Sequence, residues 1–336
     1  MQKASLSLII LAAAALAGWL LRMWLYPVLP AVVEYRLNTT PQYALINPLI
    51  FTESDQRLYP EFDGLDAAIN RYVKGAESDG DASSVSVYFR ELNNGHWTGT
   101  DENETYEPSS MLKVAVMIAY LRSAMAQSNL SNGSVEGYLS QRLYYPGADE
   151  AGQHYTSAHH LAPGYRSMSD LIDTMIVDSD NVATKVLVSD NESQFQSVYE
   201  DFRLPPTPTG SVTDYMTARS YSVVFRALYN ASYLPRSLSE QALELLTKTD
   251  FTEGLVAGVP KDTVIAHKFG EHTYALSDGT AVSRELHDCG IVYYPDHPYF
   301  LCIMTKGHDF PKLQSVISGL SKLIYDYVAE TNTVKH

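Results

Sequence analysis

Residues Tyr106–Tyr120 read YEPSSMLKVAVMIAY. Nearly every position is apolar, yet Lys113 sits in the middle of the run, three residues after Ser110. Pro108 and the serine pair start a helix that is apolar almost all round, which marks it as buried and central. Residues three apart share a helix face, so Ser110 opens the helix with Lys113 one turn below it. Two readings follow. In one, the serine caps the helix and the lysine snorkels its ammonium out to water. In the other, a buried amine without a full counter-charge gives up its proton readily and acts as base for the adjacent hydroxyl. The free N–H groups of the first turn then offer a place for an oxyanion. Ser109 has Leu112 at the matching position, so it has no base.

Composition narrows the classes around this stretch. With 336 residues, 45% of them hydrophobic, the chain can bury a sizeable core. A net charge of -15 argues against nucleic-acid binding, which needs a basic face. Two cysteines are too few for a disulfide framework or a cysteine metal site. The 24 tyrosines are scattered and read as core and rim material.

At the N-terminus, Ala4–Leu21 is free of charge and just long enough to span a hydrocarbon core. Ala15-Leu16-Ala17 resembles a signal cleavage site, whereas Trp19 and Trp24 resemble interface anchors. Residues 1–29 are therefore expected to form a membrane anchor, with secretion after cleavage as the alternative, and the rest of the chain is expected outside the cytoplasm. Residues 30–60, with several prolines and no sustained periodicity, read as a linker. Residues 61–336 are expected to form one folded domain.

Within that domain, Leu65, Ile69 and Val73 fall at helical spacing, with Gly75 as a stop. SSVSVYFREL alternates as a strand and turns at Asn93-Asn94-Gly95 into a second. A helical middle spans roughly Ser109 to Leu246. TVIAHKFG and the two runs around YYPDHP are strands, and PKLQSVISGLSKLIYDYVAE is a final helix. Split strands around a helical insert predict an α+β fold: an antiparallel five-stranded sheet flanked by N- and C-terminal helices, beside an all-helical subdomain.

Two further motifs accompany Ser110 and Lys113. Ser179-Asp180-Asn181 stands at the mouth of an apolar helix, and Lys268-Phe269-Gly270 ends a strand. Ser-x-x-Lys, Ser-Asp-Asn and Lys-x-Gly, in this order and on these elements, resemble the set of class A β-lactamases and penicillin-binding proteins. The resemblance covers nearly all of the chain from Phe62 onward. It implies that Ser110 is acylated, with Lys113 taking its proton. Ser179 would relay a proton to the leaving nitrogen, and Lys268 would polarise Ser179 and attract a substrate carboxylate. It further implies that Asn181 bonds the substrate amide, that Asp180 braces its loop, and that the N–H groups of Ser110 and Glu271, after Gly270, form the oxyanion hole. No cofactor is implied, and a monomer acting on a β-lactam or a cell-wall peptide is expected.

Two departures stand beside the matches. Phe269 replaces the family's threonine and cannot give its hydroxyl bond to a carboxylate. DFRLPPTPTGSV (residues 201–212) lacks the glutamate that releases the acyl group in class A enzymes, while Asp214 matches a structural aspartate. The leading function is a class A β-lactamase-like serine hydrolase. A penicillin-binding-type D,D-peptidase, amidase or esterase is the alternative, and a catalytically silent binding domain a third. His154, His159 and His160 cluster in a loop with no carboxylate at ligand spacing, so no metal is expected. Cys289 and Cys302 flank the YYPDHP turn and fit either a cross-strand disulfide or two buried thiols.

Overall fold

Every residue from Val85 to Phe89 is buried, so the strand Ser84–Glu91 must be covered on both faces. The structure, a computed structural model, describes residues 31–36, 43–55, 62–131, 133–206, 214–276 and 279–333. The strands are β1 (Ala31–Arg36), β2 (Leu49–Asp55), β3 (Ser84–Glu91), β4 (Trp97–Thr100), β5 (Thr105–Tyr106), β6 (Arg142–Tyr145), β7 (Gly164–Ser167), β8 (Met216–Thr217), β9 (Ile265–Ala275), β10 (Ala281–Val292) and β11 (Tyr299–Gly307). The main sheet runs β4-β3-β11-β10-β9, antiparallel throughout, as expected.

One face carries Val85, Val87, Phe89, Leu301 and Ile303 against the first and last helices, Asp63–Ser78 and Phe310–Thr333. Those helices present Leu65, Ile69 and Val73, and Leu313, Ile317 and Leu320, at the spacing of one helical stripe. The other face carries Tyr88, Phe300, Cys302, Met304 and Cys289 into the core of the helical subdomain. Its central helix, Lys113–Ser131, is buried at every position from Lys113 to Leu121. Around it lie Met168–Val177, Asn181–Asp190, Glu192–Asp201, Ala218–Tyr229 and Arg236–Leu246.

Three sequence expectations change, and the alternative left open for the cysteines is settled. Gly75 does not stop the first helix, which runs on to Ser78. The stop is Gly80, at φ 73°, with Asp81 N–H bonded to Ala76 O and Gly80 N–H to Glu77 O. That is a Schellman end, and it needs the left-handed residue that glycine supplies at little strain. The stretch 30–60 expected as a linker holds the antiparallel β1–β2 pair. β9 and β10 extend well past the Lys268 motif into a long hairpin, so HTYA and AVSREL are strand. Cys289 and Cys302 are direct register partners on β10 and β11 and form a disulfide. The expected anchor over residues 1–29 lies outside the described residues. Among the described residues, no helix is long and apolar enough to cross a membrane.

The segment after β1 is tied to the helical subdomain by Glu240, whose buried carboxylate accepts the N–H groups of Ala44, Leu45 and Ile46 at 2.6–3.1 Å. Ile46 is itself buried, so those donors cannot turn to water without withdrawing it. Glu240→Ala should therefore destabilise the fold by roughly 2–3 kcal/mol, the cost of stranded donors. Chemical denaturation would measure it, and accelerated amide exchange confined at first to residues 44–46 would locate it.

Candidate active site

A 3-10 turn, Ser109–Leu112, leads directly into the central helix and places Ser110 one turn above Lys113. The Lys113 amine donates to Ser110 Oγ at 2.8 Å, as the three-residue spacing predicts. It also donates to Ser179 Oγ at 3.1 Å, Asn181 Oδ1 at 2.8 Å and the Ser179 carbonyl. Lys268 reaches the same hydroxyl from β9, with Nζ 2.9 Å from Ser179 Oγ. Ser110, Lys113, Ser179, Asn181 and Lys268 thus form one continuous hydrogen-bonded chain from three distant parts of the sequence.

Burial holds Lys113 well below the ordinary lysine value, and the nearby Lys268 charge pushes it in the same direction against Asp180 and Glu271. Burial also brings Lys268 down to about 7, opposed by the charges of Asp288, Asp250 and Glu271. Burial thus favours the uncharged form of both amines that share the Ser179 hydroxyl, and an uncharged amine can accept a proton.

The backbone around these groups is held under tension. Ser109 (φ 46°) and Ser179 (φ 57°) adopt left-handed conformations that serine rarely visits, at roughly 1–3 kcal/mol each. The surroundings enforce them. Glu107 Oε1 accepts the Ser109 N–H at 3.2 Å, and Tyr221 OH donates to the Met111 carbonyl at 2.8 Å. Asp180 caps its helix through the Ala183 N–H at 2.7 Å and accepts from Tyr145 OH at 2.6 Å. It braces the loop and does not join the Lys113 chain.

Beneath the Ser110 turn lies a buried polar network that the sequence reading did not single out. Glu285 accepts the Glu107 N–H at 2.9 Å and lies 3.4 Å from His287 and 2.6 Å from Lys306. Burial pushes the Glu285 carboxyl up, but His287 and Lys306 outweigh it and hold it below the usual carboxylate range. His287 Nδ1 accepts the Thr305 N–H at 3.2 Å, which leaves Nε2–H to donate to the Glu107 carbonyl at 3.1 Å. Lys306 continues to Asp214, which also accepts from Tyr274 OH. A signal was present: Glu285 and His287 are charged-type residues at alternate positions of one strand, both facing one side.

Gly270 sits buried on β9, the last strand in the sheet order, directly against the Ser110 turn. A Cβ there would stand 2.6 Å from the Pro108 carbonyl and 3.0 Å from Met111 Cγ. Phe269 stacks on Phe251 with ring centroids 4.2 Å apart and meets Tyr155 edge-on at 5.8 Å. The Lys268 ammonium lies 4.2 Å from the Phe269 ring, so a π-face stands beside it where the family threonine offers a hydroxyl. Glu271 turns its carboxylate to the N–H groups of His154 and Tyr155 at 3.0–3.1 Å, which ties β9 to the opposite cleft wall. Burial pushes that carboxyl up, and the two N–H groups pull it back.

The three loop histidines separate. His154 stacks on Phe310, and His160 lies 3.9 Å from Glu150. His159 meets Asp178 and Asp250, which sequence spacing alone did not place beside it, with donor atoms within 4.8 Å of one another.

A cavity of about 510 Å³ opens over Ser110, lined also by Lys113, Ser179, Asn181, Phe269 and Glu271. Of the expected site residues, Lys268 stands behind Ser179 and Gly270 beneath the strand edge.

A model of the beta-lactamase enzyme family matches residues 64–328. Among solved structures, PBP-A superposes with a TM-score of 0.63 at 17% identity, covering 80% of this chain and 97% of its own. A beta-lactamase from Sphaerobacter thermophilus DSM 20745 gives 0.61 at 17% identity, covering 77% and 95%. The TLA-3 extended-spectrum beta-lactamase gives 0.63 at 17% identity, covering 79% and 98%. At these identities the likeness is one of fold. No match is found among curated protein sequences.

The close approach of Gly270 gives a direct check on this geometry. In Gly270→Ala the new methyl group must force β9 away from the Ser110 turn, a strain of roughly 1–3 kcal/mol. A lowered Tm together with slower labelling of Ser110 by a fluorophosphonate is the expected result.

Proposed function

The chain belongs to the beta-lactamase enzyme family, and from that premise we propose that it is a serine hydrolase that cleaves a β-lactam or related amide through an acyl-enzyme on Ser110. The observation that carries this reading is the Lys113 amine, buried and 2.8 Å from Ser110 Oγ. Neutral Lys113 takes the Ser110 proton as Oγ bonds to the amide carbon. The oxyanion is held by the backbone N–H groups of Ser110 and Glu271. Lys113 returns the proton through Ser179 Oγ, 3.1 Å away, to the leaving nitrogen, and the C–N bond breaks. Asn181 accepts from Lys113 through Oδ1, so its NH₂ group is the donor for the substrate's amide carbonyl. Lys268 holds Ser179 polarised and attracts an anionic substrate group. Support for a substrate of this class includes a PBP-A variant described as an acyl-enzyme complex with penicillin-G, 16% identical to this chain with a TM-score of 0.64.

Phe269 favours a second reading. Its buried ring offers no hydroxyl for a penicillin carboxylate, which suits a peptidase or amidase whose substrate lacks that group. Rapid turnover of a chromogenic cephalosporin identifies the lactamase; a penicillin adduct that persists identifies the peptidase.

Intact-mass spectrometry with a penicillin or a fluorophosphonate tests the common step. A single adduct on Ser110 is expected, and in Lys113→Ala its rate of formation should fall roughly 10²–10⁴-fold, the usual worth of a positioned base. No adduct with any acylating probe would leave only a silent binding domain.

Lys268 sets a pH dependence. It is charged below about 7 and neutral above, so its attraction for anions is present at lower pH and lost as pH rises through about 7. For carboxylate-bearing acyl donors, kcat/KM should therefore decline on the alkaline side of about 7. Neutral donors should lack that limb. If both donor types decline alike, the assignment of Lys268 to anion attraction is wrong.

A further inference from the structure

We propose that His272 is the base that activates water to release the acyl group from Ser110. This rests on the acyl-enzyme reading above and supplies the half of the reaction for which the sequence offers no glutamate.

Among the described residues lining the 510 Å³ cavity, Lys113, Glu271 and His272 are the amine, carboxylate and imidazole candidates for a base. Lys113 is almost wholly buried, and its amine is already engaged with Ser110, Ser179 and Asn181. Glu271 has both carboxylate oxygens committed to the His154 and Tyr155 N–H groups. His272 differs from both. It is half-buried, and neither ring nitrogen has a hydrogen-bond partner among the described residues. Its ring meets the Tyr274 ring edge to face at 4.4 Å. A ring nitrogen that is not hydrogen-bonded to protein is the one able to take a proton from a bound water.

Strand geometry aims His272 at the acylated serine. Side chains two apart on a strand share a face. The Cβ direction at Gly270 points at the Pro108 carbonyl and Met111, the frame of the Ser110 turn, and His272 follows it on that face. Several charged groups surround the imidazole. Glu285 lies opposite it on β10, with His287 beyond; Lys306 stands on β11, Asp214 on the segment before β8, and Glu271 adjoins it on β9. Burial lowers its proton affinity, Glu285 and Asp214 oppose this, and His287 and Lys306 reinforce it. The imidazole is thereby neutral at neutral pH, the form that a base requires.

In the step, water oxygen bonds to the ester carbon of acyl-Ser110 while its proton passes to His272. The tetrahedral intermediate then collapses, the bond from carbon to Ser110 Oγ breaks, and Oγ recovers the proton from the imidazolium. The products are a carboxylic acid and the free serine, with one water consumed.

The test follows a penicillin adduct on Ser110 by intact mass after excess reagent is removed. In His272→Asn the adduct should still form, which also reports a folded site, but its release should slow roughly 10²–10⁴-fold. Imidazole added to His272→Gly should restore part of the release rate. In the parent protein, release should fall as pH drops through a value below 6.5, the ordinary histidine value, and that limb should vanish in His272→Asn. Parent-like release in His272→Asn overturns the proposal, as does a stall in Glu271→Gln that His272→Asn does not share. If Ser110 takes no adduct even in the parent protein, the acyl-enzyme reading fails first and this step fails with it.

Discussion

One buried amine organises the molecule. Lys113 opens the central helix, which is buried at every position from Lys113 to Leu121 and where an unpartnered ammonium is expensive. Its contacts to Ser110, Ser179 and Asn181 offset that expense only if two helical segments and their connecting loop hold fixed positions. The left-handed backbone at Ser179 follows from this demand, since it brings both the carbonyl and the hydroxyl of one residue to the same amine. Asp180 and Tyr145 then pin the loop from behind. The site residues are therefore also core residues, and chemistry and stability pull against each other at the same atoms.

The sheet edge supplies the second half of the constraint. β9 is the outer strand, and its unpaired side must approach the Ser110 turn closely enough for backbone groups to act there. Gly270 permits the approach because no side chain fits between the strand and Pro108. The Glu285–His287–Lys306 network fixes the turn from the sheet side through the Glu107 backbone. Glu285 and His287 stand two apart on β10 and so share one face, while Leu286 between them enters the apolar core on the other.

Legibility in the sequence followed the range of the interactions. The Ser110–Lys113 contact was readable because it spans one helical turn. The strand Ser84–Glu91 was readable because its first residues alternate before a turn, and Tyr299–Gly307 because it is an apolar run that follows a Pro-Asp-His-Pro turn. Gly75 misled because glycine marks a helix end only when its backbone turns left-handed, and that choice fell to Gly80. The stretch 30–60 misled because its order comes partly from Glu240, nearly two hundred residues away, which caps its N–H groups. Glu285 and His287 stayed unnoticed because their partners, Glu107 and the β11 residues Thr305 and Lys306, come from two distant segments.

By itself the sequence placed Ser110 and Lys113 one turn apart on a buried helix, a matter of local periodicity, and its likeness to a known family pointed to the Ser-Asp-Asn and Lys-x-Gly elements and the α+β class. Tertiary structure alone decided that Cys289 faces Cys302 in register, that His159 meets Asp178 and Asp250, and that His272 lines the cavity over Ser110. Each of those facts depends on strand register or on loops meeting across the fold. A shift of one residue along a strand reverses every side chain, and no property of a single segment fixes that shift.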